Sequence, residues 1–213
     1  MVKYDINTEL KQIAQFLCQK GWAERNAGNF SYRTDESIII SDTGSKFRDI
    51  AQNPTEFYSD IKTDFSNIYL LLSSDHNTTH MPSSELASHY LLHKYLKEHR
   101  PQNRAIIHTH PTYLIAFSHK FYDFSDSEIT MMLSETIPEV NMYIPNGLGC
   151  VESMPAGSEQ LAEATYKKIQ YHDVILWKKH GCLATAETFW DAIDLIDIMD
   201  KAAYISLLIH GNK

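Results

Sequence analysis

The sequence contains few cysteines, and their arrangement excludes the usual cysteine-based structures. Only three occur among 213 residues, at Cys18, Cys150 and Cys182, and no two of them form a Cys-x-x-Cys motif. An odd number of widely spaced cysteines predicts neither a disulfide framework nor a thiolate zinc site. This cysteine usage is typical of a reducing compartment, so we expect a cytoplasmic protein.

Long apolar runs and basic clusters are also absent. No stretch is long enough to span a membrane, and the first seven residues lack the apolar core of a signal peptide. The formal net charge is −8 without any block of basic residues, which argues against nucleic acid as the main partner. A phosphorylated substrate is compatible with this charge, because backbone amides and a few local cations can bind phosphate on an acidic protein.

The chain shows no internal repeat, low-complexity tract or linker. Hydrophobic residues make up 43% of the sequence and charged residues 22%, as in ordinary globular proteins. A chain of this length can bury a sizeable core without covalent staples. We therefore predict one domain that spans residues 1–213.

The chemically most informative stretch is 104–112, with the sequence RAIIHTHPT. The apolar, β-branched run at 105–107 predicts a buried strand, which Pro111 ends just after two histidines. Side chains alternate between the faces of a strand, so His108 and His110 should project from the same face. Two imidazoles placed in this way can share a divalent cation, and zinc prefers nitrogen ligands in a tetrahedral arrangement. A His-x-His pair also arises by chance, and eleven histidines make that easier.

A second predicted strand supplies a third imidazole. Residues 173–177 (DVILW) predict a buried strand that leads into His180 and Gly181. Three histidine ligands would leave coordination positions open for a substrate, as in a catalytic rather than a structural zinc site. The sequence therefore predicts a catalytic zinc ion bound by His108, His110 and His180.

Two loops and one helix start could bind an anion. Stretches 21–31 and 41–48 combine glycine, which lets the backbone approach a ligand, with the short donors Asn, Ser and Thr. Ser83 and Ser84 suit a helix N-cap, and Glu85 follows them. Either loop could be only a turn, and Glu85 could only complement the helix dipole. Equally, two serines and a carboxylate at a helix start are what a phosphate site beside an acid/base group requires.

Hydrophobic periodicity and turn residues predict the remaining helices and strands. The predicted helices are 7–20, 85–99, 112–119, 158–171 and a last one that begins near Glu187. The predicted strands are 32–33 and 37–41 in a hairpin, 57–61, 68–72, 105–107, 140–144 and 173–177, with loops at 73–80, 121–128 and 134–139.

The helix that ends near His99 should bury Leu86, Ala87, Tyr90 and Leu91. We interpret Lys178 and Lys179 as solvated or structural. The histidines outside the predicted zinc site are interpreted as surface or helix residues without a role; they are His76, His80, His89, His93, His99, His119, His172 and His210.

In combination and in this order, the motifs resemble a known family. The stretches 21–29 (GWAERNAGN), 43–48 (TGSKFR), 83–86 (SSEL) and 108–112 (HTHPT), followed by His180-Gly181, occur in the order of the class II, zinc-dependent sugar-phosphate aldolases. The first stretch is similar to the N-terminal signature of the L-rhamnulose-1-phosphate enzymes. The resemblance covers nearly the whole chain, and its motifs are specific in combination and weak one at a time.

The resemblance implies a fold and an assembly. The expected fold is α/β with three layers, in which helices cover both faces of a mainly antiparallel central sheet. The expected assembly is a homotetramer with active sites between subunits, one Zn²⁺ per subunit and a phosphorylated ketose as substrate.

The resemblance also implies a role for each matching residue. His108, His110 and His180 match the zinc ligands. Glu85 matches the catalytic carboxylate, which can also contact the metal, and Glu139 matches an acid/base carboxylate that comes from a neighbouring subunit. The positions that match phosphate-binding residues are Asn26, Asn29, Gly44, Ser83 and Ser84.

The implied reaction is the reversible cleavage of a 6-deoxyketohexose 1-phosphate to dihydroxyacetone phosphate and L-lactaldehyde. The stretch 21–26 favours L-rhamnulose 1-phosphate and the chain length favours L-fuculose 1-phosphate, so both sugars stay open. Two other activities of the family are alternatives: methylthioribulose-1-phosphate dehydratase, which keeps a comparable glutamate, and pentulose-5-phosphate 4-epimerase, which lacks one at the Glu85 position. A non-enzymatic, adducin-like interaction module would lack the metal ligands.

Overall fold

The computed structural model describes residues 5–66 and 80–211, which build a central sheet with helices on both faces. The strands are β1 (Asn29–Arg33), β2 (Ser37–Ser41), β3 (Tyr58–Lys62), β4 (Ala105–Thr109), β5 (Leu148–Val151), β6 (Val174–Trp177) and β7 (Gly181–Ala186). The helices are α1 (Ile6–Lys20), α2 (Phe47–Ile50), α3 (Leu86–His99), α4 (Thr112–Lys120), α5 (Asp126–Ser134), α6 (Glu139–Tyr143), α7 (Glu159–Ile169) and α8 (Phe189–His210), with a 3₁₀ turn at Pro54–Glu56. The predicted strand 68–72 and most of the predicted loop 73–80 lie outside the described residues.

The described strands lie in the order β3-β2-β1-β4-β7-β6-β5. Every neighbouring pair is antiparallel except β5 and β6, which are parallel. In β4, Ala105 and Ile107 pack into the core on the face covered by α1, α4 and α8. Ile106 lies in the core on the other face, with residues of α3 and α7. The expectation of a three-layer α/β fold with a mainly antiparallel sheet is therefore confirmed.

The elements with strong sequence signals form as predicted. In α1, Leu10, Ile13 and Leu17 are buried on one stripe, and Gly21 ends the helix with φ of 68°. The hairpin of β1 and β2 and the turn at 145–147 also form as expected. In α7, the Ser158 hydroxyl caps the helix by accepting a hydrogen bond from the Leu161 amide.

The prediction of a strand at 140–144 is wrong, because residues 139–143 form helix α6. Val140 and Ile144 are buried while Met142 and Tyr143 are exposed, a spacing of four that fits a helix better than a strand. The predicted loop 121–128 also ends early, since α5 begins at Asp126. Ser125 and Glu128 form a capping box there, each side chain bonding the other's backbone amide.

The prediction that Ser83 and Ser84 cap α3 is also wrong. Glu85 occupies the N-cap position, and the Ser83 hydroxyl accepts a hydrogen bond from the Glu85 amide within the preceding turn. Ser84 is exposed, and the Glu85 side chain makes no cap hydrogen bond.

The buried face of α3 is more polar than predicted. Ala87 and Leu91 are only half-buried, whereas His89 and His93 are fully buried. Our interpretation of these two histidines as residues without a role therefore does not fit their environment. The buried positions of this helix are Leu86, Ser88, His89, Tyr90, Leu92, His93 and Leu96.

A carboxylate from the last helix fixes the segment that follows β4. The N-cap position of α4 is Pro111, whose side chain cannot accept a hydrogen bond. Instead, Asp200 Oδ1 of α8 accepts hydrogen bonds of 2.9 Å from the amides of both Tyr113 and Leu114. This contact ties the chain just after His110 to the long helix behind the sheet.

None of the helices within residues 5–66 and 80–211 combines the length and apolar character needed to cross a bilayer.

Candidate active site

The three predicted metal ligands lie together at one end of the sheet. His108 is in β4, His110 directly follows that strand, and His180 is in the turn between β6 and β7. Their ring centroids are 4.9 to 5.2 Å apart, and one nitrogen of each ring lies within 4.8 Å of one nitrogen of the other two. Residues from distant parts of the sequence thus form a group that could hold a metal ion.

Two of these imidazoles have a polar oxygen beside the nitrogen that faces away from the other ligands. His108 Nδ1 lies 3.1 Å from the carbonyl oxygen of Cys182, which can only accept, so Nδ1 carries the proton and the Nε2 lone pair is free. His110 Nδ1 lies 3.5 Å from the Glu24 carboxylate. Metal-bound histidines usually donate their second nitrogen to such an oxygen, so this donor set fits a zinc ion.

The imidazoles are held in their neutral form. Burial lowers the pKa of His108 well below its usual value, and the neighbouring His180 and His110 add to this effect. Burial and the adjacent His110 lower the pKa of His180 to about 4. Burial also lowers the pKa of His110, although Glu24 opposes the shift. Neutral imidazoles are the ligand form, so no proton has to leave before a metal binds.

Trp177 forms a wall against which two of the ligands pack. Its ring centroid lies 4.4 Å from that of His108 and 5.3 Å from that of His180, where the two rings are stacked. Its indole N–H donates to Thr165 Oγ1 at 2.9 Å, which fixes the ring plane. The orientation of both imidazoles is therefore set by a buried aromatic side chain.

The turn that carries His180 is anchored on both sides. Lys179 has φ of 65°, and its amide donates to Ser118 Oγ at 2.8 Å. The Lys178 ammonium is buried and donates to the backbone oxygens of Tyr122 and Phe124 and to the Glu152 carboxylate. Of our two interpretations of Lys178, the structural one is confirmed.

Gly181 lies against two of the ligands. A Cβ at this position would come within 2.6 Å of His108 Cε1, 2.7 Å of the Thr109 carbonyl oxygen and 2.9 Å of His110 Cδ2. Side chains never approach this closely, so only glycine lets β7 begin directly beside the imidazoles.

The three histidines line a cavity of about 210 Å³. Of the predicted site residues, Asn29, Ser83, Glu85 and His108 are buried, whereas Asn26, Gly44 and Ser84 are exposed at its mouth. All predicted ligands and phosphate-binding residues therefore share one cavity. Its described lining consists of residues 26–29, 41–45, 83–85, His108, His110, Ala156 and His180.

Backbone contacts hold the two loops over the metal ligands. The Thr43 amide donates to the Met81 carbonyl, and the Ser83 amide donates to the Ser41 carbonyl. Gly28 has φ of 78°, and a Cβ there would lie 2.7 Å from the His108 carbonyl oxygen. The backbone of loop 26–29 therefore packs directly against the end of β4.

Glu85 is the buried carboxylate of this cavity, with 4% of its surface exposed. Its Oε1 accepts a hydrogen bond of 2.9 Å from the Gly157 amide, and Ser88 Oγ lies 3.5 Å from Oε2. Burial raises the pKa of Glu85, and these hydrogen bonds oppose the rise. A carboxyl group whose pKa is raised toward neutrality, beside a set of metal ligands, suits proton transfer.

Two residues that contribute to the site were not singled out from the sequence: Asp42, which lines the cavity, and Gly157, which lies beside it. Asp42 accepts hydrogen bonds from Ser59 and His80, and Gly157 positions Glu85 through its amide. Asp42 lies inside the predicted anion loop, but no local pattern distinguishes it. Gly157 has φ of 71°, which its position in a Pro-Ala-Gly turn could have signalled.

None of the described lining residues is a lysine or an arginine. An anion in this cavity would therefore be bound by N–H and O–H donors and by a metal ion, not by a cationic side chain.

Glu139 does not line this cavity. It is exposed at the first position of α6, beside a second cavity of about 910 Å³ bounded by residues of α6, α8 and the 102–103 turn. Glu139 therefore takes no part in the cavity of its own chain, and a role for it in the cavity of a neighbouring subunit stays a prediction.

Residues 8–207 match the family described as class II aldolase and adducin N-terminal domain. Rhamnulose-1-phosphate aldolase of Bacteroides thetaiotaomicron is 31% identical, over 92% of this chain and 83% of its own. Rhamnulose-1-phosphate aldolase of Listeria welshimeri is 28% identical, over 94% of this chain and 82% of its own.

Solved structures are similar over almost the whole chain. A sugar-phosphate aldolase from Thermotoga maritima has a TM-score of 0.78 at 26% identity, covering 98% of this chain and 97% of its own. An L-fuculose-1-phosphate aldolase from Thermus thermophilus has a TM-score of 0.73 with the same coverage, but at 19% identity it supports the fold alone.

Replacing Gly181 with alanine should weaken zinc binding, because the new methyl group displaces His108 and His110. We expect the dissociation constant for zinc, measured by competition with a chromogenic chelator, to rise by about tenfold or more. The matched control is Cys182→Ala, which alters the next residue of β7 on the opposite face of the sheet. Equal zinc affinity in Gly181→Ala and wild-type protein would contradict the assigned ligand geometry.

Proposed function

The chain belongs to the class II aldolase and adducin N-terminal domain family, and we propose that it is a zinc-dependent aldolase acting on a 6-deoxyketohexose 1-phosphate. Aldolase relatives match it over nearly its full length, so it is a carbon–carbon lyase. The proposed products are dihydroxyacetone phosphate and L-lactaldehyde. The observation that carries the proposal is the single cavity shared by three imidazoles, a buried carboxylate and several neutral anion donors.

Among the two sugars, we propose L-rhamnulose 1-phosphate first and L-fuculose 1-phosphate second. The relative at 31% identity is a rhamnulose-1-phosphate aldolase, whereas the fuculose-1-phosphate enzyme is similar at 19%. The dehydratase and epimerase alternatives are retained as outcomes of the assay below. The three histidines and Glu85 weigh against an adducin-like module without catalysis.

Zinc is the proposed metal, and His108, His110 and His180 would hold it; Glu85 lines the same cavity but lies outside this group of three ligands. When bound, zinc supplies Lewis acidity that stabilises negative charge on the oxygen atoms next to the reacting carbon. The neutral imidazoles, the hydrogen bond from His108 to the Cys182 carbonyl and the contact between His110 and Glu24 support this assignment.

The phosphate group is proposed to bind between the exposed mouth of the cavity and its buried residues Asn29 and Ser83. The loops at 26–29 and 43–45 and the serines before α3 offer amide and hydroxyl donors there. Binding at this site would hold C2 and C3 of the sugar against the imidazoles and Glu85. The residues proposed for this role are Asn26, Asn29, Gly44, Ser83 and Ser84.

Glu85 is the proposed acid/base group at C3. Cleavage breaks the C3–C4 bond, and its electron pair remains on C3. Glu85 then delivers a proton to C3 as dihydroxyacetone phosphate forms, and it removes that proton in the reverse direction. Its burial and raised pKa support a proton donor at this position.

The proton of the C4 hydroxyl needs a second base. We propose the partner subunit's Glu139 for this role, in a homotetramer whose active sites lie between subunits. Glu139 is exposed and lies outside its own subunit's cavity, as this arrangement requires.

The first test is an aldolase assay of the zinc-loaded protein with L-rhamnulose 1-phosphate and L-fuculose 1-phosphate. We expect release of dihydroxyacetone phosphate, followed by a coupled reductase, from one sugar, and loss of release after chelation. The unphosphorylated sugars serve as controls and should react poorly because phosphate binding positions the substrate. Absence of release from either sugar by zinc-loaded protein would contradict the proposal and favour the dehydratase or epimerase reaction.

Glu85→Gln should separate metal binding from proton transfer. Glutamine keeps the acceptor for the Gly157 amide, so we expect full zinc content, while kcat falls by about 100-fold or more because the acid/base group is lost. Asp42→Asn is the matched control, because it removes the charge of another carboxylate in the same cavity. The two oxygens of Asp42 already accept hydrogen bonds from Ser59 and His80. Near-normal turnover in Glu85→Gln would exclude the proposed role.

Mixing two inactive variants should test whether Glu139 acts across subunits. In hybrids of Glu85→Gln and Glu139→Gln chains, roughly a quarter of the sites of a cyclic tetramer would combine both intact carboxylates, so activity should return to about that level. Hybrids of Glu85→Gln with the double variant are the control, since they contain no intact site. Hybrid activity no higher than that of the parents would contradict the shared site.

A further inference from the structure

A line of buried polar side chains runs from the cavity into the space between β1 and α3. Asn29 Oδ1 lies 2.6 Å from His89 Nε2, and His89 Nδ1 lies 2.6 Å from Ser31 Oγ. Ser31 Oγ also lies 2.7 Å from His93 Nε2. Asn29 and Ser31 are two residues apart on β1, and His89 and His93 are one turn apart on α3, so both pairs face each other.

This hydrogen-bonded line begins beside the metal ligands. Asn29 is the antiparallel partner of His108 in the sheet, and its side chain lines the cavity. Asn29 is 7% exposed, while Ser31, His89 and His93 are fully buried. The four residues therefore connect the proposed phosphate site to the interior without a path through bulk water.

A single hydroxyl proton limits this line to two arrangements. Burial lowers the pKa of His89 to about 3 and that of His93 well below its usual value, so both rings are neutral and each carries one N–H. Ser31 can donate to one imidazole only and must accept from the other. Either both histidines carry the proton on Nε2, or both carry it on Nδ1.

The environment of His93, at the far end of the line, favours the arrangement in which both histidines carry the proton on Nε2. His93 Nδ1 is buried and has no partner among the described residues. If His93 carried its proton there, a buried N–H would be left without an acceptor, which is rarer in proteins than an unused lone pair.

The first arrangement fixes the carboxamide of Asn29. Nε2 of His89 then donates to Asn29 Oδ1, and the Asn29 NH₂ group is left to face the cavity. In the reverse arrangement, Asn29 would turn its oxygen toward the cavity and repel an anion. The polarity of the buried line thus decides whether the cavity offers a donor or an acceptor at this position.

We propose that His89 is a positioning residue, held in its Nε2–H form by Ser31 and His93, which turns the Asn29 NH₂ group toward an anionic oxygen of the bound substrate. The inference deepens the proposed function and rests on it, because it names how the phosphate site gains one of its donors. His89 acts through Asn29 and does not contact the substrate.

The tautomers can be read directly by long-range ¹H–¹⁵N correlation spectra of the zinc-loaded, ¹⁵N-histidine-labelled protein. Signals are assigned by comparison with His89→Gln and His93→Gln. We expect both histidines to show a protonated Nε2 and a lone pair on Nδ1. A protonated Nδ1 in both would overturn the proposal, and this result does not depend on any activity.

Two variants of His89 separate its two nitrogen atoms. A glutamine amide can reach the place of Nε2 and donate to Asn29, whereas an asparagine amide reaches only the place of Nδ1. We expect zinc-loaded His89→Asn to bind inorganic phosphate about fivefold to tenfold more weakly in calorimetry, and His89→Gln to stay within about twofold of wild type. Equal weakening in both variants would overturn the proposal.

Asn29→Ala provides the coupling control. Because His89 acts through Asn29, His89→Asn should weaken phosphate binding no further in the Asn29→Ala background. Zinc content and thermal unfolding are measured for every variant, since a purely structural role would lower both and would add to the effect of Asn29→Ala. Additive losses of phosphate affinity would overturn the proposal.

These measurements also separate the inference from the proposed function. If the tautomers and phosphate affinities are as expected but neither sugar phosphate is cleaved, only the assigned reaction fails. If a sugar phosphate is cleaved while His89→Asn and His89→Gln behave alike, only the role of His89 fails. Wild-type, zinc-loaded protein that does not bind phosphate at millimolar concentration would overturn the inference.

Discussion

The antiparallel register of β4 between β1 and β7 is the constraint on which the site depends. On one side His108 pairs with Asn29, and on the other Thr109 pairs with Cys182. Cross-strand neighbours have Cβ atoms about 4.5–5.5 Å apart, so this register sets the separation between the ligands and the cavity's amide donor. A shift by one residue would send His108 to the opposite face, into the core beneath α8.

The same register explains why small residues recur around the imidazoles. Gly28 directly precedes β1 and Gly181 begins β7, and these two strands flank β4. Each glycine lies so close to the backbone of β4 that a Cβ atom would clash with a carbonyl oxygen of that strand. With both neighbours so close, the imidazoles have little freedom, and Trp177 fills the space behind them. The ligands are therefore placed by backbone contacts and one aromatic ring before any metal binds.

The site concentrates polar groups that a core without function would avoid. Glu85, His89 and His93 are buried, and each loses hydration that hydrogen bonds replace only in part. Burial accordingly raises the pKa of Glu85 and lowers the pKa values of the histidines. A core that keeps such groups neutral or hydrogen-bonded offers donors and acceptors with fixed directions, which is what binding and proton transfer need.

Where local signals are strong, the sequence was sufficient to predict the elements. The apolar stripe of α1, the hairpin that ends at Ser41 and the strand that carries His108 follow from periodicity and turn residues alone. Helix α6 was mistaken for a strand because five residues are too few to distinguish the two periods. Strands β5 and β7 were missed because short, small residues such as those of Gly181–Ala186 show neither alternation nor β-branched runs.

The sequence by itself determined that His108 and His110 share a face, since a strand repeats every two residues whatever it packs against. The sequence also identified the amide and hydroxyl donors of the stretches 21–31 and 41–48, and the carboxylate of Glu85, which directly precedes α3. Only the tertiary structure shows that His180 and Asn29 do lie beside those histidines, that Glu139 lies outside the cavity of its own chain, and that His89 and His93 are buried. These outcomes depend on strand register and on packing between segments distant in sequence, which no local pattern of residues encodes.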